Sequence, residues 1–261
     1  MAALSRADLW SLEEYADIRP TFRSEIMAHK KNRQVALGEH ARLYFEDRLT
    51  IKYQIQEMLR IEKVFESEGI NEELESYNPL IPDGHNWKAT FMLEYGDPEE
   101  RAVQLGKMIG IEDKVWLQIE SCDRVYPIAD EDLERDNEHK TSSVHFLRFE
   151  LTPSMIAAVH AGATICAGID HPAYSIDCGP LESGVGGGVG GAGTCGGVVA
   201  APRPPGRAGG VGAGGGGGAR GGGGGGGRGR GPGGVGGRGK QEVVGGGGWG
   251  GGAVWRKRGV A

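Results

Sequence analysis

The residues of this chain that could take part in chemistry begin with a polar line on one predicted helix. At about 100° per residue, a helix over residues 51–66 gathers five apolar side chains within an arc of about 120°. These are Ile51, Ile55, Met58, Ile61 and Phe65. Glu62 lies near the centre of this arc, Gln54 lies on it, and Glu57 lies at its edge. A carboxylate there must take up a proton or find a cation, because burying an unpaired charge is costly.

Two interpretations of Glu62 stay open. In the first, it forms an architectural ion pair with Arg148, which lies in the middle of the predicted strand "HFLRFEL" and also needs a partner. In the second, it acts as a general acid or base, or as a metal ligand.

Three further residues are candidates for a site. His145 alternates with Leu147 and Phe149 and so faces apolar neighbours, where a hydrogen-bonded, inert histidine is the commoner outcome. Asp170 and His171 end the last predicted strand, where polar side chains can line a cleft. The chain has no H-x-x-x-H, E-x-x-H or H-x-H pattern, so any site must assemble from distant segments. The sequence therefore assigns no catalytic residue, metal or cofactor.

The N-terminal elements that must position these residues are helices and a hairpin. Ser11 opens a short helix through a capping box, and Pro20 suits the first turn of a second helix. Two short strands around Gly38 predict a hairpin. Thr50 is the candidate N-cap of the helix that carries the polar line, and Gly69 is its predicted end.

Two later segments share a strand–helix–strand pattern, residues 89–120 and 144–170. In each, a capping residue precedes a proline at the helix start, in Asp97-Pro98 and Thr152-Pro153. The sequence thus predicts an α+β domain, with N-terminal helices and a β-hairpin packed with a roughly four-stranded sheet built from two β-α-β units. Residues 130–139, "DEDLERDNEH", are expected to be a solvated charged connector.

Composition divides the chain into a globular domain, residues 1–183, and a glycine-rich tail, residues 184–261. The tail holds 40 of the 49 glycines, ten Lys or Arg, and one acid, Glu242. The domain therefore holds 19 of the 29 basic and 34 of the 35 acidic residues, a net charge near −15 against near +9 for the tail. Such a tail has too little apolar surface to offset its ordering entropy, so we expect disorder.

Two origins of the tail stay open. It is either an Arg-Gly segment that binds RNA, or a frameshift or read-through product, since its residues are those of GC-rich codons. The second is favoured, because the tail has no Phe or Tyr for base stacking.

Charge and apolar patterning exclude several classes of protein. The acidic domain argues against nucleic acid as its own partner, because phosphate binding needs a basic face. The chain has no apolar run near the roughly 20 residues that cross a bilayer, and its start shows no secretory signal. The four cysteines form no C-x-x-C pair, as expected for reduced thiols in the cytoplasm.

Four blocks of sequence resemble the bacterial family known as domain of unknown function 3501. They are "FEDRLTIKYQIQEMLRIEKVF", "ESYNPLIPDG", "KTSSVHFLRFEL" and "GIDHPAY", and the resemblance spans residues 10–175. It implies a cytosolic domain with no assigned catalytic residues. Family genes are often found beside a rubrerythrin-like di-iron protein and an iron–sulfur oxidoreductase, which implies an accessory role in redox or peroxide defence. After "HPAY" the family normally ends in a short charged segment, whereas this chain continues as "SIDCGPLESG" and the glycine-rich tail, which favours the frameshift origin and leaves the native C-terminus open.

Three functions follow as hypotheses. The first is a non-enzymatic accessory or binding protein that works with redox partners. The second is a metal-binding or acid/base enzyme in which Glu57, Glu62, His145 and His171 converge. The third, ranked last, is RNA binding through the tail.

Overall fold

The computed structural model describes residues 3–120, 122–132, 135 and 139–181. The predictions made for the tail, disorder and RNA binding included, lie outside these residues. The described helices and strands are interspersed along the chain. The helices are α1 (Leu12–Lys31), α2 (Arg48–Glu62), α3 (Ser67–Tyr77), α4 (Pro98–Lys107) and α5 (Pro153–His160). The strands are β1 (Gln34–Ala36), β2 (Ala41–Phe45), β3 (Asn86–Leu93), β4 (Val115–Ile119), β5 (Ile128–Ala129), β6 (Val144–Glu150), β7 (Ile165–His171) and β8 (Tyr174–Pro180).

The α+β class is confirmed, but the predicted single sheet is wrong. The strands form two antiparallel sheets, one in the order β1-β2-β3-β6-β5 and one in the order β4-β7-β8. Each predicted β-α-β unit sends its first strand to the larger sheet and its second to the smaller one. Both sheets have one strongly apolar face, and packing these faces together buries both at once.

The inner faces of the two sheets share one apolar core. The larger sheet contributes alternate residues of its strands, Leu43, Phe45, Trp87, Ala89, Phe91, Leu147 and Phe149. The smaller sheet contributes Val115, Leu117, Ile119, Ala167 and Ile169. On the outer face of the larger sheet, Phe146 packs with Ile51 and Ile55 of α2 in a second apolar cluster. The larger sheet is therefore buried on both faces.

The two sheets are joined at both edges. On one side, Val125 bridges to Leu117 of β4, and the same segment continues into β5, which pairs with β6. On the other side, the hydroxyl of Tyr174 in β8 donates to the carbonyl of Leu37 in the β1–β2 hairpin at 2.8 Å. Strand β8 is not predicted by the sequence, and it places the segment after "HPAY" inside the sheet.

The N-terminal helices are one helix, and the predicted break at Pro20 is wrong. Ser11 caps α1 as expected, but the helix runs through Pro20 to Lys31. Tyr15, Phe22 and Ile26 lie on one side of it and form an apolar cluster with Tyr53 of α2. This packing holds the helix together across the hydrogen bond that proline removes.

Helix α2 differs from its predicted bounds at both ends. Its N-cap is Asp47, whose carboxylate accepts from the backbone N–H of Thr50, so Thr50 lies inside the first turn. It ends at Glu62 and not near Gly69, because Lys63 takes the left-handed conformation with φ of 56°. The hairpin around Gly38 and the helix starts at Asp97 and Thr152 are as predicted, by contrast. In the described part of the chain, no helix combines the length and apolar character that a bilayer crossing requires.

Gly168 of β7 allows the smaller sheet to carry a buried tryptophan on its outer face. A Cβ atom at Gly168 would lie 2.3 Å from the Trp116 ring and 2.4 Å from the Ile176 carbonyl oxygen. The Trp116 ring therefore lies directly over the glycine, and only 1% of the residue is exposed.

We expect Gly168→Ala to lower the free energy of unfolding by about 3 kcal/mol, because neither the ring nor the strand backbone can move aside. Chemical denaturation monitored by tryptophan fluorescence measures the change. Gly96→Ala is the matched control, since a Cβ atom there meets no atom within 4 Å, and it should shift stability by less than about 0.5 kcal/mol. Equal effects of the two variants would contradict this account of the packing.

Candidate functional site

Glu57 is the acidic residue that α2 buries, and only 2% of it is exposed. Arg19 of α1 donates to both of its carboxylate oxygens, at 2.7 and 2.9 Å. The hydroxyl of Tyr15 donates to the same carboxylate at 2.8 Å, and Arg60 approaches it at 3.4 Å. A buried carboxylate on this helix is therefore paired with a cation, but the pair is Glu57 with Arg19, which the sequence did not predict.

These contacts fix the protonation states of the Glu57 cluster. Burial opposes ionisation of Glu57, but hydrogen bonds from Arg19, Tyr15 and Arg60 outweigh it and lower its pKa from 4.5 to about 2. Burial and the neighbouring Glu57 raise the pKa of Tyr15 far above its usual range, so its hydroxyl remains a donor. A permanently ionised carboxylate that two arginines share is suited to joining helices and poorly suited to proton transfer.

The expected pair of Glu62 with Arg148 is wrong. Arg148 forms ion pairs with Glu131, at 2.7 Å, and with Glu150, its neighbour along the outer face of β6. Glu62 is the last residue of α2 and is only half-buried. The apolar arc ends before it, since Ile61 is 39% exposed.

The remaining polar residues of α2 show why a single buried face was the wrong assumption. Gln54 is buried, as its position on the arc predicts. Gln56 lies on the side of the helix opposite the arc, and it is fully buried as well. Its side chain accepts from the backbone N–H of Trp10 at 2.7 Å. Helix α2 is covered by other parts of the fold on several sides, so nearly all of its residues from 50 to 59 are buried.

His145 faces the core between the sheets, as predicted, and is fully buried. Its Nδ1 lies 2.6 Å from a carboxylate oxygen of Asp130, and its Nε2 lies 2.9 Å from the hydroxyl of Thr141. Glu112 lies farther away, at 3.8 Å from Nε2. The imidazole ring of His145 also lies near an apolar side chain, since the centroid of the Phe91 ring is 6.2 Å from its own.

Asp130 belongs to the connector that was expected to be solvated, and this expectation is wrong for two of its residues. Asp130 has a left-handed backbone with φ of 47° and accepts from the Phe146 backbone N–H at 2.9 Å. Arg135 donates to it at 2.9 Å, and the Arg135 side chain is only 3% exposed. The connector therefore supplies Asp130 as one partner of a buried histidine, and Arg135 as a partner of Asp130.

The Asp130–His145–Thr141 chain has the hydrogen-bond order of a nucleophilic triad. Its surroundings exclude that role in this conformation, because Thr141 is 1% exposed and His145 is not exposed at all. A nucleophile must reach a substrate atom, and this hydroxyl reaches only the protein interior. The chain of contacts is a satisfied polar network in the core.

Asp170 and His171 are held by local contacts at the end of β7. Asp170 accepts from Trp116 Nε1, Arg124 and Tyr126 at 2.7–3.1 Å, and these hydrogen bonds, that of Tyr126 foremost, lower its pKa. The guanidinium of Arg124 also lies over the Trp116 ring, 3.9 Å from its centroid. His171 contacts the Ile109 carbonyl at 3.2 Å through Nε2.

The predicted site residues thus lie in separate clusters. Glu57 joins α1 to α2, His145 lies between the sheets, and Asp170 and His171 lie at the end of β7. In the part of the chain that the structure describes, no group of three or more His, Cys, Asp or Glu residues is arranged to hold a metal. Tyr15, Arg19 and Asp130, the partners that make these clusters, carry no motif and escaped sequence reasoning.

A surface at the end of α2 has a different character, and we call it the α2–α3 surface. It comprises the turn between α2 and α3 with its neighbours, and it lines a shallow groove of about 310 Å³. The groove is lined by Glu62, Lys63, Val64, Phe65, Glu66, Gly69 and Glu72. At 72%, Phe65 is the most exposed large apolar side chain of the described residues. A phenylalanine this exposed is available for contact with another molecule, where its ring would bury a large apolar area.

The described part of the chain thus forms two packed antiparallel sheets with a helical layer, and its polar clusters are closed by hydrogen bonds within the protein. The sequence model of the family described as "Protein of unknown function (DUF3501)" matches residues 3–184. The chain belongs to this family. It is also similar to a protein of unknown function from Burkholderia pseudomallei K96243, whose crystal structure is 48% identical in sequence. That match covers 72% of this chain and 97% of the other, with a TM-score of 0.69. No curated protein matches.

We expect Glu57→Gln to lower the free energy of unfolding by about 2 kcal/mol, because the charge-assisted bonds to Arg19 are lost inside the fold. Urea denaturation measures the change. Glu75→Gln on α3 is the matched control, since Glu75 is exposed. An effect of Glu57→Gln no larger than that of the control would show that the buried pair is not a major contact.

The same pair predicts a pH dependence. The pKa of Glu57 in the folded state is depressed, so its stabilisation is complete above pH 4.5 and is lost as the pH falls towards 2. The stability difference between the wild type and Glu57→Gln should therefore shrink across this range. Asp47, whose pKa is also lowered to about 2, contributes in the same window and remains in both proteins. A difference that does not change with pH would contradict the assigned pKa.

Proposed function

We propose that this protein is a non-catalytic accessory protein that binds a partner protein through the α2–α3 surface. The observation that carries the proposal is Phe65, a large aromatic side chain that remains 72% exposed. Aromatic side chains that are buried on association supply much of the affinity of protein interfaces.

The fates of the candidate catalytic residues support the same proposal. Glu57, His145 and Asp170 each bond to several groups of the protein itself. Their hydrogen-bonding capacity is used in holding helices, strands and loops together, which leaves little for a substrate. A binding role needs only a stable scaffold and an exposed contact, and the fold has both.

We propose further that the partner belongs to a redox or peroxide-defence system in the cytoplasm. The support is the resemblance described above, since family genes are found beside a rubrerythrin-like di-iron protein and an iron–sulfur oxidoreductase. Phe65 is the proposed point of contact, and the genes found beside those of family members suggest which proteins could be the partner. The rubrerythrin-like protein and the oxidoreductase are therefore the first partners to test.

We expect the purified protein to bind at least one of these two candidates, and Phe65→Ala to weaken the binding about tenfold or more, as for an interface hot spot. Surface plasmon resonance with the immobilised protein measures the affinity.

Val103→Ala on α4 is the matched control, because Val103 is also a well-exposed apolar residue, at 57%. It should leave the affinity unchanged. Binding of neither candidate would contradict the redox assignment. Equal losses from Phe65→Ala and Val103→Ala would contradict the α2–α3 surface as the contact.

The metal-binding alternative predicts that the protein retains metal, whereas the accessory-protein proposal predicts that it does not. We expect protein that has been incubated with Fe²⁺, Mn²⁺ or Zn²⁺ and then desalted to retain only substoichiometric metal by mass spectrometry, with an unchanged melting temperature. The reason is that the candidate ligands lie apart and already have protein partners. Stoichiometric metal lost in a His145→Ala variant would favour the alternative.

A further inference from the structure

We infer that the partner contacts the α2–α3 surface through a cationic, amphipathic segment, in which lysines or arginines flank an apolar pocket or side chain. This inference rests on the proposed function and specifies the chemistry of its partner. Two observations support it, the exposure of Phe65 and the charges of the residues around it.

The segment around Phe65 carries mostly negative charge, although Arg6 donates to the Ser67 hydroxyl and Arg60 lies near the end of α2. Residues 61–77 contain six glutamates and one basic residue, Lys63. Three of these acids, Glu66, Glu68 and Glu75, are exposed and form no ion pair with any residue that the structure describes. A partner that covers Phe65 must approach these carboxylates, and a cationic partner gains from that approach where an anionic one is repelled.

The turn that presents Phe65 is held in a defined shape. Lys63 adopts a left-handed conformation, with φ of 56° and ψ of 41°, that favours glycine. Val64 folds back against Gly69, where an added Cβ atom would lie 2.7 Å from a Val64 methyl. The next residue, Phe65, therefore points away from the fold on a fixed backbone. The left-handed residue is the usual end of a helix, and the Val64 backbone N–H donates to the Leu59 carbonyl at 2.9 Å, so the backbone before Phe65 is fixed by hydrogen bonding.

The net charge of the whole domain adds to the negative electrostatic potential at the α2–α3 surface. Its net charge is near −15 over residues 1–183, which attracts cationic surfaces at a distance and raises the association rate at low salt. The glutamates and Phe65 should then affect different rate constants of binding. The glutamates at its rim should govern association and its salt dependence, whereas Phe65, which would be buried in the complex, should govern dissociation.

The first experiment uses model peptides as probes, with fluorescence anisotropy as the readout. The first peptide is an amphipathic helix of leucine and lysine, about four turns long. The second has glutamate in place of every lysine, and the third has serine in place of every leucine. We expect the wild-type protein to bind only the leucine–lysine peptide, and Phe65→Ala to weaken this binding about tenfold.

The second experiment reverses charges at the rim. The double variant Glu66→Lys/Glu68→Lys should slow association with the leucine–lysine peptide and flatten its dependence on salt, with little change in the dissociation rate. The matched control is Asp17→Lys/Glu25→Lys, which makes the same change of net charge at two exposed positions of α1. It should have a clearly smaller effect, because its charges lie on another element.

The outcomes separate this inference from the proposed function. Equal binding of the lysine and glutamate peptides, or equal effects of the two charge-reversal variants, would overturn the cationic partner. If a redox partner still binds through Phe65 in that case, the proposed binding function stands, and only the inferred cationic character of the partner is wrong. Self-association that Phe65→Ala abolishes, seen by analytical ultracentrifugation, would replace the partner by a second copy of this chain.

Discussion

The carboxylate of Glu57 is the interaction that holds the helical layer together. It lies inside the fold and receives hydrogen bonds from Tyr15 and Arg19 on α1 and from Arg60 on its own helix. Removing a charge from water is costly, so these elements must stay in register for the charge to remain paired. Because α1 is fixed on one side of α2, the other sides are free to pack on α3 and on the outer face of the larger sheet. The end of α2, with its turn and Phe65, is then held in one place.

The same constraint operates at the other polar clusters. His145 is satisfied by Asp130 and Thr141, and Asp170 by Trp116, Arg124 and Tyr126. In each case a buried or half-buried polar group is matched by hydrogen-bond partners from the protein itself, as protein interiors require. The residues that the sequence suggested as candidates for catalysis are thus engaged in hydrogen bonds that stabilise the fold. Phe65, by contrast, remains exposed beside several glutamates.

Local signals predicted the fold well wherever the physics is local. The helix starts at Asp97 and Thr152 and the hairpin at Gly38 depend on neighbouring residues alone, and all three are confirmed. The α+β class follows from the order of such elements. The division into two sheets was missed, because which strands pair depends on the burial of whole faces. Pro20 was overrated as a helix start for the same reason, since packing on α2 outweighs one lost hydrogen bond.

The candidate site was predicted in kind but not in detail. A helical arc indicated a carboxylate on α2 that needs a cation, and the fold has one, but at Glu57. The arc assumed one buried face, whereas α2 is covered on several sides and ends before Phe65. Arg19 and Asp130 could not be found by spacing, because their contacts span 38 and 15 positions in the chain. Exposure of Phe65 could not be foreseen either, since it follows from where the helix ends.

We propose that this protein acts through the α2–α3 surface and not through its buried polar clusters. Hydrogen–deuterium exchange of the protein, alone and with a bound redox partner, tests it most directly. The account predicts new protection over residues 61–72, with exchange around His145 and Asp170 unchanged. Protection centred on His145 and Asp130, with none at the α2–α3 surface, would contradict it.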